Sequence, residues 1–204
     1  MTAKTVIVYK RRDNKEPFTD WLFFLRDIVT RHRVETRIDR IKQGNYGDHK
    51  RFHGIIELRL DFGKGYRLYC GEDGHTLVVL LMGGDKSSQD KDIKKHWITG
   101  GITMNKRKFR TFDEVQLERY KKHPRELKSY IRVALEEYQK DGDEKAFLSA
   151  LSVAARVHGG FSKLSRETGL NRENLYRALS DHADPKFSTI MQVLNTLKLS
   201  LKIA

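Results

Sequence analysis

The sequence is poor in cysteine, since Cys70 is the only one among 204 residues. One cysteine excludes a disulfide within the chain and a metal site built from several thiolates, and it favours a reducing compartment. Long apolar runs are also missing, because none approaches the roughly 20 residues that a membrane helix needs. The N-terminus lacks the apolar segment of a secretion signal. These absences predict a soluble cytoplasmic protein without membrane contact.

Acidic residues are too few to balance the basic ones. The chain has 40 Lys and Arg against 27 Asp and Glu, a net charge of +13. The surplus is shared, with 20 basic and 14 acidic residues up to Gly100 and 20 and 13 after it. Such charge favours a polyanionic partner, because phosphates release counterions when Lys and Arg bind them. His49 and His53 lack carboxylates at matching spacing, so neither a metal nor a cofactor is predicted.

The first half alternates between strand-like and helix-like patterns in the order β-α-α-β-β-β. Short Gly-rich connectors between the last three strand-like runs predict hairpins, and therefore an antiparallel meander. Two helical periods after Pro17 predict two helices on one face of this small sheet. This half is therefore predicted to be an α+β domain. The strand-like runs span residues 4–10, 54–60, 65–70 and 76–82.

Strand alternation separates two faces of the predicted sheet. If the helices cover the apolar face, the opposite face is an open polar surface. Lys86 follows the last strand in the sequence GGDK, whose two glycines are expected to let it bend over the sheet. The alternative is that these polar residues are ordinary solvated charges. The apolar face carries Ile56, Leu58 and Leu60; the polar face carries Glu57, Arg59, Asp61, Arg67 and Tyr69.

The composition changes after residue 98. Residues 99–111, TGGITMNKRKFRT, are glycine-rich and then basic without periodicity, which predicts a linker between two domains. From residue 112 to residue 204, six segments carry apolar residues at helical spacing, and glycines or Pro185 separate them. The second half is therefore predicted to be all-α.

The segment FSKLSRETGLNRENLYRAL predicts two helices joined by a tight turn. Gly169 supplies the positive φ that such a turn needs, and Asn171 is a strong N-cap for the second helix. Leucines at 164, 170, 175 and 179 have the spacing of a shared core. A helix-turn-helix would place the outward residues of its second helix on base edges and phosphates. The alternative is a helical hairpin without a DNA role. The predicted DNA-binding residues are Asn171, Arg172, Glu173, Asn174, Tyr176 and Arg177.

The stretch ELRLDFGKGYRLYCGEDGHTLVVLLMGGDKSSQDKDI resembles the RelE/HigB-like toxins, in the phage-type addiction module killer branch. The second half, from FDEVQL through GLNRENLYRALS to LKLSLKI, resembles the HigA-like antitoxins. The resemblance implies an α+β RelE-like toxin domain over residues 1–98, followed by an all-α helix-turn-helix antitoxin domain over residues 112–204. The chain then resembles a toxin and its antitoxin fused into one polypeptide.

The resemblance also implies a function. Toxins of this family are similar to small ribonucleases that cut mRNA on the ribosome, through attack of a ribose 2′-OH on the adjacent phosphate. Arg59, Arg67 and Lys86 match the family's basic positions and would stabilise charge on that phosphate. Asp85 would orient a basic neighbour or accept a proton, and Tyr69 would stack on a base. The antitoxin half is implied to keep the toxin inactive and to bind operator DNA as a homodimer, repressing its own promoter.

Two alternatives remain open for the function. In one, the protein is a DNA-binding transcriptional regulator whose toxin half is vestigial. In the other, the basic face of the toxin half inhibits a protein target such as gyrase. The retention of Arg59, Arg67 and Lys86 together argues against a vestigial toxin half, although a fusion that never separates would have no use for them.

Overall fold

The computed structural model describes residues 4–11, 13–52, 54–73, 77–84, 109–180 and 184–199. Within these ranges the protein is an α+β structure, as predicted from the sequence. The strands are β1 (Thr5–Val8), β2 (His49–Phe52), β3 (Ile55–Arg59), β4 (Arg67–Asp73) and β5 (Leu77–Gly84). The helices are α1 (Pro17–Phe24), α2 (Ile28–Lys42), α3 (Phe112–Lys122), α4 (Pro124–Asp141), α5 (Glu144–His158), α6 (Phe161–Thr168), α7 (Arg172–Ala178) and α8 (Phe187–Thr196).

The five strands form one sheet in the order β1-β5-β4-β3-β2. The meander β3-β4-β5 is antiparallel, which confirms the prediction from the connectors. Strand β1 joins the sheet parallel to β5, with Thr5 opposite Leu77, so the sheet is mixed rather than wholly antiparallel. The reason is topological, because α1 and α2 follow β1 and the chain re-enters the sheet at its opposite edge.

Strand β2 is absent from the sequence-based prediction. Its sequence, HKRF, is polar and largely exposed, so it has no apolar alternation to reveal it. It forms because its backbone pairs with β3, with Phe52 opposite Ile55. His49 lies at the start of this edge strand, where its Nδ1 is 2.7 Å from the carbonyl oxygen of Gly47.

The predicted division of the sheet into two faces is confirmed. Helices α1 and α2 cover one face, and Asp27 caps α2 by accepting hydrogen bonds from the backbone of Val29 and Thr30. The opposite face carries Ile55 and Tyr69, which pack together outside this main core. The main core between the helices and the sheet includes Phe18, Leu22, Val34, Ile38, Ile41, Ile56, Leu58, Leu60 and Leu68.

Gly83 and Gly84 have a different role from the one expected. Both lie inside β5, where they pair with Leu68 and Arg67, rather than in a loop after it. A Cβ atom at Gly83 would lie 2.2 Å from the ring of Trp21. Gly83 therefore permits α1 to pack closely on β5. This close packing explains the glycine without a need for backbone flexibility.

The six helices predicted after residue 111 are all present. Thr111 and Glu114 form a capping box that starts α3. Helices α3 to α8 share a core that includes Tyr120, Tyr130, Leu148, Leu151, Leu164, Leu175 and Val193.

The start of the second half also belongs to the first core. Phe112 and Val115 of α3 pack among the core residues of the N-terminal half. Just before α3 the backbone N–H of Val8 donates to the carbonyl of Arg110 at 2.9 Å, and Ile7 forms a bridge with Thr111. The two halves are therefore in direct contact. Most of the predicted linker, residues 99–108, lies outside the described residues, and the domain boundaries stay a prediction.

Candidate functional site

Three of the predicted catalytic residues meet around a carboxylate on the polar face of the sheet. Arg59 and Arg67 are opposite each other in the β3–β4 pairing, and Glu57 is opposite Tyr69. Glu57 Oε1 accepts hydrogen bonds from Arg59 Nε at 3.1 Å and from Arg67 Nη1 at 2.9 Å. The hydroxyl of Tyr69 donates to Glu57 Oε2 at 3.3 Å. We call these four residues the Glu57 cluster.

The members of the Glu57 cluster differ in accessibility. The side chain of Arg59 is 43% exposed and that of Arg67 is 18% exposed, so Arg59 is the more accessible of the two cations. Tyr69 is 3% exposed and packs with Ile55, which leaves its ring covered rather than presented for stacking on a base. The predicted residues Asp85 and Lys86 lie outside the described residues. The described part of β5 ends at Gly84, opposite Arg67.

Glu57 is the member of this cluster to which the sequence analysis gave no role. Burial raises its pKa, but the hydrogen bonds from Arg59 and Arg67 outweigh burial, so the pKa of Glu57 is below its ordinary value. It is therefore a carboxylate at neutral pH, which fixes the two guanidinium groups and is a weak proton acceptor. The signal was available in the sequence, because strand alternation places Glu57 and Arg59 on one face.

The α6–α7 segment has the predicted geometry. Gly169 follows α6 with φ 72°, and the Asn171 side chain accepts hydrogen bonds from the backbone of Glu173 at 2.8 Å and Asn174 at 3.2 Å. The hydroxyl of Ser165 donates to the carbonyl of Leu170 at 2.6 Å, which ties α6 to the turn. Buried residues joining the two helices include Leu164, Leu175 and Leu179.

All six predicted DNA-binding residues are exposed. The guanidinium of Arg177 donates to Asn174 Oδ1 at 2.6 Å, so these two side chains form one polar unit on the surface. Tyr176 is 58% exposed and contacts Phe161 edge-on at 5.3 Å between ring centroids, so part of its ring supports α6. The exposed set is Asn171, Arg172, Glu173, Asn174, Tyr176 and Arg177.

Helix α2 contacts the C-terminal half through buried polar side chains. The hydroxyl of Tyr120 donates to Glu35 Oε2 at 2.7 Å, and the same oxygen lies 2.7 Å from Nδ1 of His32. The hydroxyl of Tyr130 donates to Asp39. These five side chains are almost wholly excluded from solvent. Hydrogen bonds between such groups fix the relative position of two surfaces, because any shift leaves a polar atom buried without its partner.

Ion pairs surround this buried contact with complementary charge. Lys42 Nζ lies 2.8 Å from Asp39 and 2.6 Å from Asp113 of α3. Burial lowers the pKa of Lys42, but the two carboxylates outweigh burial and hold that pKa above its ordinary value. Arg31 pairs with Glu126 at 3.0 Å. In these pairs across the two halves, the N-terminal half supplies the cation and the C-terminal half supplies the carboxylate.

The contact between the halves lies on the helix side of the sheet. The described hydrogen bonds and ion pairs that join them all use residues 7–45 of the N-terminal half. The Glu57 cluster is on the opposite face and takes no part in them. Among the residues described, no group of three or more His, Cys, Asp or Glu side chains is arranged to hold a metal ion, and no helix is long and apolar enough to cross a bilayer.

Comparison with known proteins identifies the C-terminal half. Residues 111–204 match the family described as probable addiction module antidote protein. One similar protein, from Haemophilus influenzae, is 48% identical over 79 residues, which cover 38% of this chain and 80% of that protein. A second protein of the same organism is 36% identical over 73 residues, which cover 36% of this chain and 74% of the relative. Both bear the name uncharacterized protein, and no solved structure matches the chain.

Through residues 111–204 the chain belongs to the addiction module antidote family. It is therefore a component of a toxin–antitoxin module, and an antidote implies a toxin as its partner. The finer assignments to the RelE, HigB and HigA groups stay predictions.

The buried ion pair between the halves gives a test of the contact. Lys42→Met leaves the buried Asp39 without its cation, whereas Asp113 keeps Arg156 at 2.9 Å, so we expect the free energy of unfolding to fall by about 3–5 kcal/mol. Lys122→Met removes a lysine of α3 whose partner, Glu118, is half exposed, at a similar distance of 2.7 Å. We expect that control to cost at most about 1 kcal/mol. Urea unfolding measures both variants, and equal costs would contradict a structural role for the buried pair.

Proposed function

We propose that this protein is a toxin and its antidote fused in one chain. Residues 1–98 form a RelE/HigB-like endoribonuclease that cuts mRNA on the ribosome, and residues 112–204 form a HigA-like antitoxin that keeps it inactive. The observation that carries this proposal is the contact just described. The segment that belongs to the antidote family packs, through buried hydrogen bonds and complementary charges, on the half of the chain that resembles a toxin.

The Glu57 cluster suits the chemistry of RNA cleavage. When a ribose 2′-OH attacks the adjacent phosphate, the bond from phosphorus to the 5′-oxygen breaks and that oxygen leaves. Negative charge builds on the phosphate oxygens in this step, and fixed cations lower the barrier. Arg59 and Arg67 supply two such cations on one face, and Glu57 holds them in place before the substrate arrives. Lys86, two residues beyond the end of β5, adds a third cation. Asp85 accepts the proton of the 2′-OH, since Glu57 is engaged with both arginines and is a weak base.

The geometry also supports a particular way of keeping the toxin inactive. The described C-terminal helices pack against α1, α2 and β1, and none of the described hydrogen bonds or ion pairs between the halves uses a residue of the Glu57 cluster. Inhibition therefore does not need a side chain placed in the nuclease site. The antitoxin half covers the helix side of the toxin half and sterically prevents the toxin half from binding the ribosome. Release or displacement of that half restores activity.

A second activity, binding to DNA, is favoured by the exposed face of α7. Its capped N-terminus and its arginine and asparagine side chains present donors for bases and phosphates. A single helix of seven residues makes few base contacts, so useful specificity needs two copies on a two-fold site. We therefore propose a homodimer that binds an inverted repeat in its own promoter and represses it.

The nuclease proposal predicts that residues 1–98, expressed from a tightly repressed promoter, stop growth and cut mRNA, whereas the full chain is tolerated. Arg67→Ala in that fragment should lower the rate of cleavage by about 10²–10³, because one cation at the phosphate is lost. Primer extension on cellular mRNA measures cleavage. Coexpression of residues 109–204 should restore growth.

The fragment needs a control for folding, because Phe112 and Val115 complete the core of the N-terminal half. Solubility and circular dichroism are measured first. If residues 1–98 are insoluble, a longer fragment of residues 1–122, which retains α3, is used instead. A folded fragment that leaves both growth and mRNA intact would show that the toxin half is vestigial.

The DNA proposal predicts a preference of the full chain for its own promoter over scrambled DNA. Arg177→Ala should weaken binding by about 1–3 kcal/mol with relaxed specificity if Arg177 contacts a guanine, or uniformly with a shallower salt dependence if it contacts a phosphate. Lys163→Ala, on the preceding helix, is the control. Gel-shift titrations over a range of salt separate these outcomes. Equal affinity of the wild-type protein for promoter and scrambled DNA at every salt concentration would contradict the repressor role.

A further inference from the structure

Three arginines of α2 lie side by side on one face of the helix. Arg33, Arg37 and Arg40 are spaced by four and three residues, so successive side chains are neighbours on the helix surface. We call them the arginine row. Together with Arg59 from the end of β3 they line a small cavity of about 40 Å³. Four arginines therefore line this cavity, and among the described residues two carboxylates, those of Asp61 and Glu137, line it with them.

The carboxylates near the arginine row leave some of its hydrogen-bond donors unsatisfied. Arg33 Nε is 3.5 Å from Glu137, and Arg40 Nε is 3.8 Å from Asp143. The Nε atoms of all three arginines are buried and have no hydrogen-bond acceptor among the described residues. A guanidinium group normally meets a carboxylate or a phosphate with two parallel hydrogen bonds. Arg40 pairs closely with Asp141 through Nη2, whereas the Nε donors of the row are not matched by a carboxylate.

Arg37, at the centre of the row, has no carboxylate at ion-pair distance within the described part of the chain. Its Nη2 donates instead to the backbone carbonyl oxygens of Tyr46 and, at 3.4 Å, Asp48. Burial, and then the nearby charge of Arg40, lower the pKa of Arg37. Placing like charges together in a partly buried site is unfavourable unless an anion joins them.

The arginine row is continuous with the Glu57 cluster. Arg59 lines the cavity and also donates to Glu57, which in turn accepts from Arg67. If the scissile phosphate of a single RNA strand lies at Arg67, a neighbouring phosphate of the same strand would therefore lie near the arginine row. Glu137 of α4 faces the row from the antitoxin half, with its Oε2 3.8 Å from Arg40 Nη2.

We propose that the arginine row and Arg59 form a binding site for a backbone phosphate of RNA, and that Glu137 competes with that phosphate. This inference rests on the proposed action of the N-terminal half on RNA. It assigns the antitoxin half a second means of inhibition, because a carboxylate of α4 neutralises cations that the substrate would otherwise use.

The test compares Glu137→Gln with Glu136→Gln in the full chain. Glu136 is the adjacent residue of α4 and pairs with Arg132 at 3.7 Å, away from the row. The probe is a fluorescent single-stranded RNA of twelve nucleotides whose 2′-hydroxyls are methylated. Because this RNA has no free 2′-OH, it cannot be cut, and its binding is independent of whether the toxin half is an active nuclease.

Glu137→Gln should bind this RNA several-fold more tightly at low salt, with a salt dependence steeper by about 0.7, the slope expected for one more phosphate of a single strand. Adding Arg37→Gln should remove the gain. Glu136→Gln should leave affinity unchanged. Thermal unfolding confirms that each variant is folded.

Three outcomes would overturn the proposal. Equal gains for Glu137→Gln and Glu136→Gln would show a general effect of net charge, and a gain that survives Arg37→Gln would place the RNA elsewhere. Absence of any gain for folded Glu137→Gln would also contradict it. If Glu137→Gln does not fold, Asp141→Asn, which removes the partner of Arg40 at the exposed end of α4, must give a gain that Arg37→Gln abolishes.

Discussion

The burial of helix α2 on both of its faces is the constraint on which the rest of the structure depends. One face carries Val34, Ile38 and Ile41 and packs on the sheet, as in any amphipathic helix. The other face is polar, yet it is also buried, because Tyr120, Tyr130 and carboxylates of the C-terminal half cover it. Buried polar groups tolerate only partners in the right positions, so this contact fixes how the two halves meet.

A polar contact of this kind suits a pair of proteins in which one inhibits the other. If the C-terminal half is displaced, the surface that it leaves on α2 is charged and can be solvated, whereas an apolar surface of that size would promote aggregation. The same charges provide specificity, because a partner without matching carboxylates would leave Arg31 buried and without its ion-pair partner Glu126. In this arrangement the polar interface holds the helix side of the N-terminal half, and the cations of the Glu57 cluster take no part in that interface.

Much of the fold could be predicted from the sequence, for identifiable reasons. Alternation in β3 and β4 correctly separated the core residue Leu58 from Arg59, and the Gly169–Asn171 pair correctly located the turn between α6 and α7. Strand β2 could not be predicted, because HKRF owes its conformation to backbone pairing with β3 rather than to its own side chains.

The candidate sites were predicted less completely. The polar face of α2, with Glu35 and Asp39, has the sequence pattern of a solvated face. The sequence of α2 alone does not predict that a tyrosine distant in the chain covers each carboxylate. Glu57 was placed on the correct face but was given no role, because its effect depends on two arginines that pairing between strands brings to it. Gly83 was interpreted as a hinge, since the close approach of Trp21 is a tertiary contact. Local sequence patterns predicted most of the helices and strands. The roles of the site residues depend on contacts between these elements, which local patterns do not contain.

The most direct test of the account is whether the two halves hold together without a covalent link. A recognition sequence for a specific protease, inserted within residues 99–108, allows the full chain to fold first and to be cut afterwards. Size-exclusion chromatography at micromolar concentration and about 0.15 M ionic strength then measures association. The account predicts that the cut chain elutes where the uncut chain does, because the buried hydrogen bonds and ion pairs of α2 are retained. Separate elution of two folded halves would contradict it.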